Sequence, residues 1–184
     1  MRIISGTARG RKLKEPIGTN IRPTSDKVKE SVFNIVQFDI EGRRVLDLFA
    51  GTGQYGIETL SRGARSAVFV DNASESIKLV KENLKISGFS DLATVRANDA
   101  LRYLENDEKY DLIFIDPPYD TPLAGRAIQK IVEFDKLNIN GIIIIEIKSG
   151  IPPPEVPLPY ILQKEYRYGN VNIVKYTRPE DNII

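Results

Sequence analysis

The sequence predicts an α/β fold built on a parallel β-sheet, and three observations lead to this prediction. The 184 residues suit one well-buried domain and are too few for two of typical size. From Val45 onwards, short apolar runs alternate with segments of helical periodicity. A glycine-rich turn, Gly51 to Gly56, directly follows the first run. Strands that are apolar on both faces and joined by helices form parallel sheets covered on both sides.

The N-terminal segment is predicted to be a basic arm followed by a helix. Residues 1–14 carry short apolar stretches split by Gly6 and Gly10, a pattern typical of a β-hairpin or an irregular arm. The run Arg22-Pro23-Thr24-Ser25 predicts a turn and a helix N-cap, since a hydroxyl can accept amide hydrogens of the first turn. Apolar residues then recur at helical spacing, which predicts an amphipathic helix over about 25–38.

The remaining elements follow from apolar runs and turn residues. The predicted strands are Val45–Phe49, Ala67–Asp71, Thr94–Ala97, Leu112–Asp116 and Ile142–Ile147. Helices are predicted near 54–61, 74–87, 99–105 and 123–134, with Gly63 and Gly88 at C-cap positions. A proline-rich connector over 151–159 leads to a closing antiparallel hairpin, Ile161–Arg167 and Val171–Thr177.

The composition excludes several classes of protein. The chain has no Cys and no His, which excludes disulfides, thiolate metal sites, cysteine nucleophiles, serine–histidine triads and most zinc enzymes. No apolar run approaches the ~18 residues that a membrane helix needs, and the first residues show no apolar signal core. We therefore expect a cytoplasmic protein with no membrane and no metal.

Charge is distributed unevenly along the chain. Residues 1–44 carry a net charge of +5, residues 45–159 of −5 and residues 160–178 of +3, although the whole chain is at +1. Basic ends around an acidic middle favour a polyanion bound on one face, away from an acidic pocket. Scattered solvated charge is the alternative interpretation.

The first motif that carries chemistry is the run from Asp47 to Gly56. Gly51, Gly53 and Gly56 fit the pattern GxGxxG between a strand and a helix, and Asp71 ends the next strand 20 residues after Gly51. Glycines let a nucleotide cofactor approach the backbone, and a carboxylate accepts ribose hydroxyls. The pattern alone leaves NAD and S-adenosylmethionine open. Asp47 favours S-adenosylmethionine, because an acidic pocket suits an ammonium and a sulfonium better than a pyrophosphate.

The second motif is Asp116-Pro117-Pro118-Tyr119, at the carboxyl end of a predicted strand. Ligands bind at this edge of a doubly wound sheet. The prolines stiffen the loop, so that the Asp116 carboxylate and a loop carbonyl present acceptors in a fixed array. Such acceptors suit an exocyclic amino group, and Tyr119 offers a flat face for stacking a base. A rigid turn with a surface tyrosine is the alternative.

Taken together, the motifs carry a family resemblance. The set DLFAGTG, Asp71, Asn98-Asp99-Ala100 and DPPY resembles amino-group-modifying, S-adenosylmethionine-dependent methyltransferases. The N-terminal runs RIISG, RGRKL, RPT and KESVFN look like RsmD, the family of bacterial 16S ribosomal RNA guanine-N2 methyltransferases. Their similarity covers residues 1 to about 177. The resemblance implies a Rossmann-like class I methyltransferase domain with a seven-stranded, mostly parallel sheet that ends in an antiparallel hairpin.

The resemblance also implies a domain organisation and partners. One domain would span 1–184, with 1–24 as a basic RNA-contacting extension and 25–177 as a helix and the Rossmann-like core. The implied cofactor is S-adenosylmethionine, and the implied substrate is a guanine in 16S rRNA within the small subunit or its assembly intermediate. We expect a monomer.

Site residues are carried over from the resemblance position by position. The implied cofactor site is Asp47, Phe49, Ala50, Gly51, Gly53, Asp71, Asn72, Asp99 and Ala100. Within it Asp47, Gly51 and Gly53 would hold the methionine moiety, Asp71 the ribose, and Asp99 with the Ala100 amide the adenine; Asp99 could equally be an N-cap. The implied catalytic residues are Asp116, Pro117, Pro118 and Tyr119, and the implied RNA contacts are Arg9, Arg11, Lys12 and Arg22. Arg22 and Thr24 would also cover the cofactor.

The sequence departs from the family pattern at one point, and it leaves several alternative functions open. Gln54-Tyr55 stands where family members often carry small residues, which bears on the positioning of the cofactor. An NAD-dependent oxidoreductase would explain the glycines but not DPPY, and a non-catalytic RNA-binding protein would explain only the arm. Methylation of adenine N6 or of a protein glutamine could use a similar acceptor loop.

Overall fold

The protein is described by a computed structural model that covers residues 1–16, 26–118 and 121–180. The predicted N-cap at 22–25 therefore lies outside the described residues. Five α-helices are described: α1 Asp26–Ile35, α2 Gln54–Ser61, α3 Ser74–Ser87, α4 Ala100–Tyr103 and α5 Leu123–Glu133, with one short 3-10 helix at Ser90–Leu92. Seven strands are described: β1 Arg44–Asp47, β2 Ser66–Asp71, β3 Ala93–Ala97, β4 Tyr110–Ile115, β5 Leu137–Lys148, β6 Ile161–Tyr168 and β7 Val171–Arg178.

The strands form one seven-stranded sheet in the order β3-β2-β1-β4-β5-β7-β6. Strands β1 to β5 pair in parallel, and β7 runs antiparallel to both of its neighbours. One apolar cluster joins α1, α2, α3 and the arm to one face of the sheet. A second cluster joins α4 and α5 to the other face. The predicted parallel sheet, its two helical layers and the closing hairpin are confirmed.

Several element boundaries differ from the prediction. Helix α1 ends at Ile35 rather than near 38, because the chain turns where the Asp39 amide donates to the Val36 carbonyl at 2.9 Å. Strand β1 ends at Asp47, and the residues after it belong to the glycine-rich loop. Strand β5 begins at Leu137, before a register shift against β4. After the buried Leu137, residues 138–140 are partly or fully exposed. The apolar run from Ile142 therefore marked only the buried part of the strand.

The N-terminal arm is a short hairpin that is tied down on α2. Arg2 and Lys12 form an antiparallel bridge, and the Ile3 amide donates to the Arg11 carbonyl at 3.0 Å. The two oxygens of the buried Glu58 carboxylate accept the Ile4 and Ser5 amides at 2.8 and 2.9 Å.

Two further contacts fix the arm against the same helix. Lys29 of α1 lies 3.1 Å from Glu58, and both side chains are fully buried. The positive charge of Lys29 therefore compensates the buried carboxylate that holds the arm. A Cβ at Gly6 would lie 1.8 Å from the Ser61 carbonyl oxygen, so only glycine allows this approach. The arm is therefore part of the packed structure.

The part of the chain that the structure describes contains no helix that is long and apolar enough to cross a membrane. Within the same ranges, the acidic residues do not form a group of three that could hold a metal ion.

Candidate active site

The carboxyl ends of the parallel strands surround a pocket of about 560 Å³. This volume falls in the range of roughly 300–1,000 Å³ that is typical of small-molecule sites. Ten of the predicted site residues line it: Phe49, Ala50, Gly51, Asp71, Asn72, Asp99, Ala100, Asp116, Pro117 and Pro118. The two sequence motifs, 60 or more residues apart along the chain, therefore open into one cavity.

Asp71 holds the glycine-rich loop at the end of β2. Its Oδ2 accepts the Gly51 amide at 2.8 Å, and its Oδ1 accepts the Ala73 amide at 2.9 Å. Each carboxylate oxygen can accept two hydrogen bonds, so both retain a lone pair for a ribose hydroxyl. The half-buried Asp71 thus has the position and the acceptors that its predicted role requires.

Asp47 lies beneath the loop and does not line the pocket. Its side chain is buried, and its Oδ2 accepts the Gly56 amide in the first turn of α2 at 2.9 Å. Desolvation raises the pKa of Asp47 to about 7, the Gly56 hydrogen bond lowers it in part, and the charge of Asp71 raises it further. The structure therefore makes Asp47 a support for the loop, and its predicted contact with methionine stays a prediction.

The glycines of the motif shape the start of α2. Gly53 has φ = 78° and is not among the residues that line the pocket, so its predicted contact with the cofactor stays a prediction. A Cβ at Gly56 would lie 2.2 Å from Phe69 Cε1 of β2, so only glycine lets the helix pack this closely against the sheet. The N-terminus of α2 is thereby fixed at the edge of the pocket.

Gln54 is a pocket residue that the sequence indicated only as a departure from the family pattern. Its side chain is 7% exposed, and its Oε1 has no hydrogen-bond partner among the described residues. A buried acceptor without a partner costs about 1–3 kcal/mol. An ammonium group of a ligand would satisfy this acceptor, and the methionine end of S-adenosylmethionine carries one.

Asp99 and Ala100 form the wall opposite the glycine-rich loop. Asp99 Oδ1 accepts the Arg102 amide at 3.0 Å, which confirms that Asp99 is the N-cap of α4. Both residues line the pocket, so the cap and the predicted contact with adenine are compatible.

The loop after β4 forms another part of the wall. Asp116 is half-buried, Pro117 is buried and Pro118 is exposed at the rim, where its carbonyl accepts the Thr121 hydroxyl at 2.8 Å. Tyr119 lies outside the described residues, so its stacking role stays a prediction. The predicted cover residues Arg22 and Thr24 also lie outside them, although Pro16 and Val28, on either side of that segment, line the pocket.

The predicted RNA contacts divide into two groups. Arg9 and Lys12 are exposed on the arm. Arg11 is exposed as well, but its guanidinium donates to the Ser87 and Ile86 carbonyls at 2.7 and 3.3 Å, where it caps the last turn of α3. The structure therefore gives Arg11 a structural role that the sequence did not predict.

The fold and this pocket define the class of the protein: it has the Rossmann-like fold of class I S-adenosylmethionine-dependent methyltransferases. S-adenosylmethionine is the cofactor of this class. Gln54 Oε1 and the Asp71 carboxylate are acceptors of the kind that its ammonium group and its ribose hydroxyls would need. The preference for this cofactor over NAD is confirmed by the similarity of the chain to methyltransferases.

Sequence comparison shows the family to which the chain belongs. It belongs to the RsmD-type family, whose sequence model, described as conserved hypothetical protein 95, matches residues 1–177. YlbH of Bacillus subtilis, whose name describes an rRNA methyltransferase, is 40% identical over 97% of this chain and 99% of its own. Ribosomal RNA small subunit methyltransferase D of Haemophilus influenzae is 35% identical, with 96% and 93% of the two chains covered. The structure of yhhF from Escherichia coli, described as a methyltransferase, superposes with a TM-score of 0.86 at 31% identity, with 97% and 98% covered.

Replacing Gln54 by leucine should weaken binding of S-adenosylmethionine by about 10- to 100-fold, the effect of a lost hydrogen bond to a charged group. Stability should be unchanged or higher, because the substitution also removes the buried acceptor. Calorimetric titration and urea unfolding measure the two effects. Gln129→Leu, on the exposed face of α5, is the matched control. Unchanged affinity in Gln54→Leu would exclude the contact.

Replacing Asp47 by asparagine should change the pH dependence of stability. Because the folded pKa of Asp47 is raised to about 7 from an ordinary 3.8, its contribution is full below about pH 4 and is lost as the pH rises through 7. Asparagine does not titrate. Between pH 4 and 8, the free energy of unfolding of the variant should therefore rise by about 4 kcal/mol relative to that of the wild type. Urea unfolding across this range measures it; parallel curves would contradict the burial of a titrating Asp47.

Proposed function

We propose that this protein transfers a methyl group from S-adenosylmethionine to the exocyclic N2 amino group of a guanine in 16S rRNA, within the small ribosomal subunit or its assembly intermediate. The observation that carries the proposal is that Asp116, Pro117 and Pro118 share one cavity with the cofactor residues. The name of the Haemophilus relative supports a substrate in small-subunit RNA.

The pocket residues have two tasks in such a reaction. The bound cofactor supplies an electrophilic methyl group. The Asp116 carboxylate and the Pro117 carbonyl accept the two N–H groups of the substrate amine, which orients its nitrogen toward the cofactor side of the cavity. As positive charge develops on this nitrogen, the same acceptors stabilise it more strongly than in the ground state. Tyr119 would stack on the base.

The placement of the acceptors explains why proline suits positions 117 and 118. Proline fixes its own φ and lacks an amide hydrogen, so the loop offers carbonyl oxygens without competing donors. The Pro118 carbonyl accepts the Thr121 hydroxyl, and the proposed acceptor next to Asp116 is the Pro117 carbonyl. The loop thus presents acceptors only, and an amine with two hydrogens is the complementary group.

The arm is the proposed contact for the RNA backbone. Arg9 and Lys12 are exposed on a hairpin whose backbone is held by Glu58, so their charges project from a fixed base. Cations on a rigid surface bind phosphates by releasing counterions. Arg11 supports this surface through α3.

Replacing Asp116 by alanine should lower kcat by about 10²- to 10³-fold, the typical effect of removing one group that stabilises transition-state charge. Affinity for S-adenosylmethionine should stay within a few-fold. The assay is transfer of labelled methyl to small subunits from a strain that lacks the enzyme, with nucleoside analysis of the product. Asp107→Ala, an exposed carboxylate before β4, is the control. Label on adenine or on protein would contradict the proposed function, and normal turnover of Asp116→Ala would contradict the role of Asp116.

Replacing both Arg9 and Lys12 by alanine should weaken RNA-substrate binding and flatten its salt dependence. Each lost phosphate contact should reduce the log–log slope by about 0.7–0.9. Arg11→Ala is the contrasting variant, since it should lower stability through the loss of the α3 cap. Binding measured at several salt concentrations, beside urea unfolding, separates the two effects. An unaltered slope in the double variant would show that the RNA is held elsewhere, with the basic hairpin of Lys164, Arg167 and Lys175 as the next candidate.

A further inference from the structure

A second carboxylate, which the sequence did not single out, lies next to Asp116. Glu146 is on β5, is 5% exposed, and lines the main pocket. It also lines an adjoining recess together with Asp116. Ile115 of β4 is in register with Ile145 of β5, so Asp116 and Glu146 follow at neighbouring positions of parallel strands. Such strands are about 4.8 Å apart, which places both carboxylates within reach of one small planar group.

The surroundings of Glu146 fix its carboxylate in place. The Tyr55 hydroxyl donates to Glu146 Oε2 at 3.3 Å. The Tyr55 ring stacks on Phe114 with centroids 5.1 Å apart and 9° between the planes, so its hydroxyl has a defined position. The other residues of the recess are mostly apolar, among them Val32, Ile144 and Ile173. A carboxylate that borders the cavity among apolar neighbours presents a hydrogen-bond acceptor to a ligand at this point.

The chemistry of the bases indicates which ligand this is. Beside its N2 amino group, guanine carries a ring N1–H, which is a donor. Beside their amino groups, adenine and cytosine carry ring nitrogens N1 and N3, which are acceptors. A carboxylate only accepts hydrogen bonds, so it is attracted to the guanine edge and repelled by the other two.

We propose that the Glu146 carboxylate accepts the N1–H of the target guanine while Asp116 accepts its N2 amino group, so that Glu146 determines the choice of base. This inference rests on the proposed function. Glu146 adds a specificity contact to the acceptor loop, and Tyr55 positions it. Gln54 and Tyr55, which stand where family members often carry small residues, then have separate tasks. Gln54 faces the cofactor pocket, and Tyr55 holds the Glu146 carboxylate that contacts the base.

The test compares guanine with 2-aminopurine at the target position of the small-subunit RNA. 2-Aminopurine keeps the N2 amino group but has an acceptor at N1. The wild type should prefer guanine by about 10- to 100-fold in kcat/KM, the effect of a lost hydrogen bond to a charged group. In Glu146→Gln this preference should fall at least tenfold, because the amide can rotate to donate to N1 of 2-aminopurine. The variant should therefore gain activity on 2-aminopurine relative to guanine, a change that a purely structural role of Glu146 would not produce.

Two further variants make the result decisive. Glu165→Gln, the same change at a half-buried position on β6, should leave the preference at the wild-type value. Tyr55→Phe keeps the ring and removes the hydroxyl, so the preference should fall by a smaller factor, even if Glu146→Gln does not fold. Titration with S-adenosylmethionine verifies the fold of each variant.

The outcomes separate this inference from the function on which it rests. Transfer to guanine N2 by the wild type, with a base preference that neither Glu146→Gln nor Tyr55→Phe changes, would overturn the role of Glu146 alone. Absence of methyl transfer to guanine N2 by the wild type would overturn the proposed function and the inference with it. A reduced preference in the variants, with normal cofactor binding, would establish Glu146 as the residue that reads the base.

Discussion

Two carboxylates at the ends of adjacent strands hold the glycine-rich loop, and the site depends on them. Asp71 accepts the Gly51 amide, and Asp47 accepts the amide of Gly56, which lies nine residues after it. Together they fix where the loop leaves β1 and where α2 begins. The pocket wall and the side chains of the first turn of α2 are thereby placed before any ligand binds. Such preorganisation lowers the entropic cost of binding a ligand.

The two carboxylates differ in how they meet this task. Asp71 is half-buried and opens into the pocket, so it can serve the loop and a ligand together. Asp47 is enclosed, and its raised pKa reflects the cost of that enclosure. The loop is therefore supported by one residue that a ligand can reach and by another that it cannot.

The sequence predicted the α/β class, the motifs and the strand ends that carry them, because these follow from apolar runs and glycine spacing. The seven strands, the cofactor and ten pocket residues agree with the pattern and with the family resemblance. What it could not provide was the orientation of single side chains. Arg11 and Arg9 are equivalent in a basic run, yet one caps α3 and the other faces solvent. Glu146 interrupts an apolar run as a surface-facing strand residue would, and its burial depends on β4 and β7, which are distant in sequence.

All eight residues of α2 are buried, so this helix has no solvent face. Gln54 and Tyr55 in its first turn face the cofactor pocket, while Glu58 and Ser61 further along hold the arm. A rigid rod that touches two binding surfaces transmits a displacement from one to the other. If RNA binds the arm as proposed and its binding displaces α2, the affinity for the cofactor would change, and thermodynamic reciprocity would then require the cofactor to change the affinity for RNA by the same factor. An eight-residue helix thus connects the arm physically with the pocket.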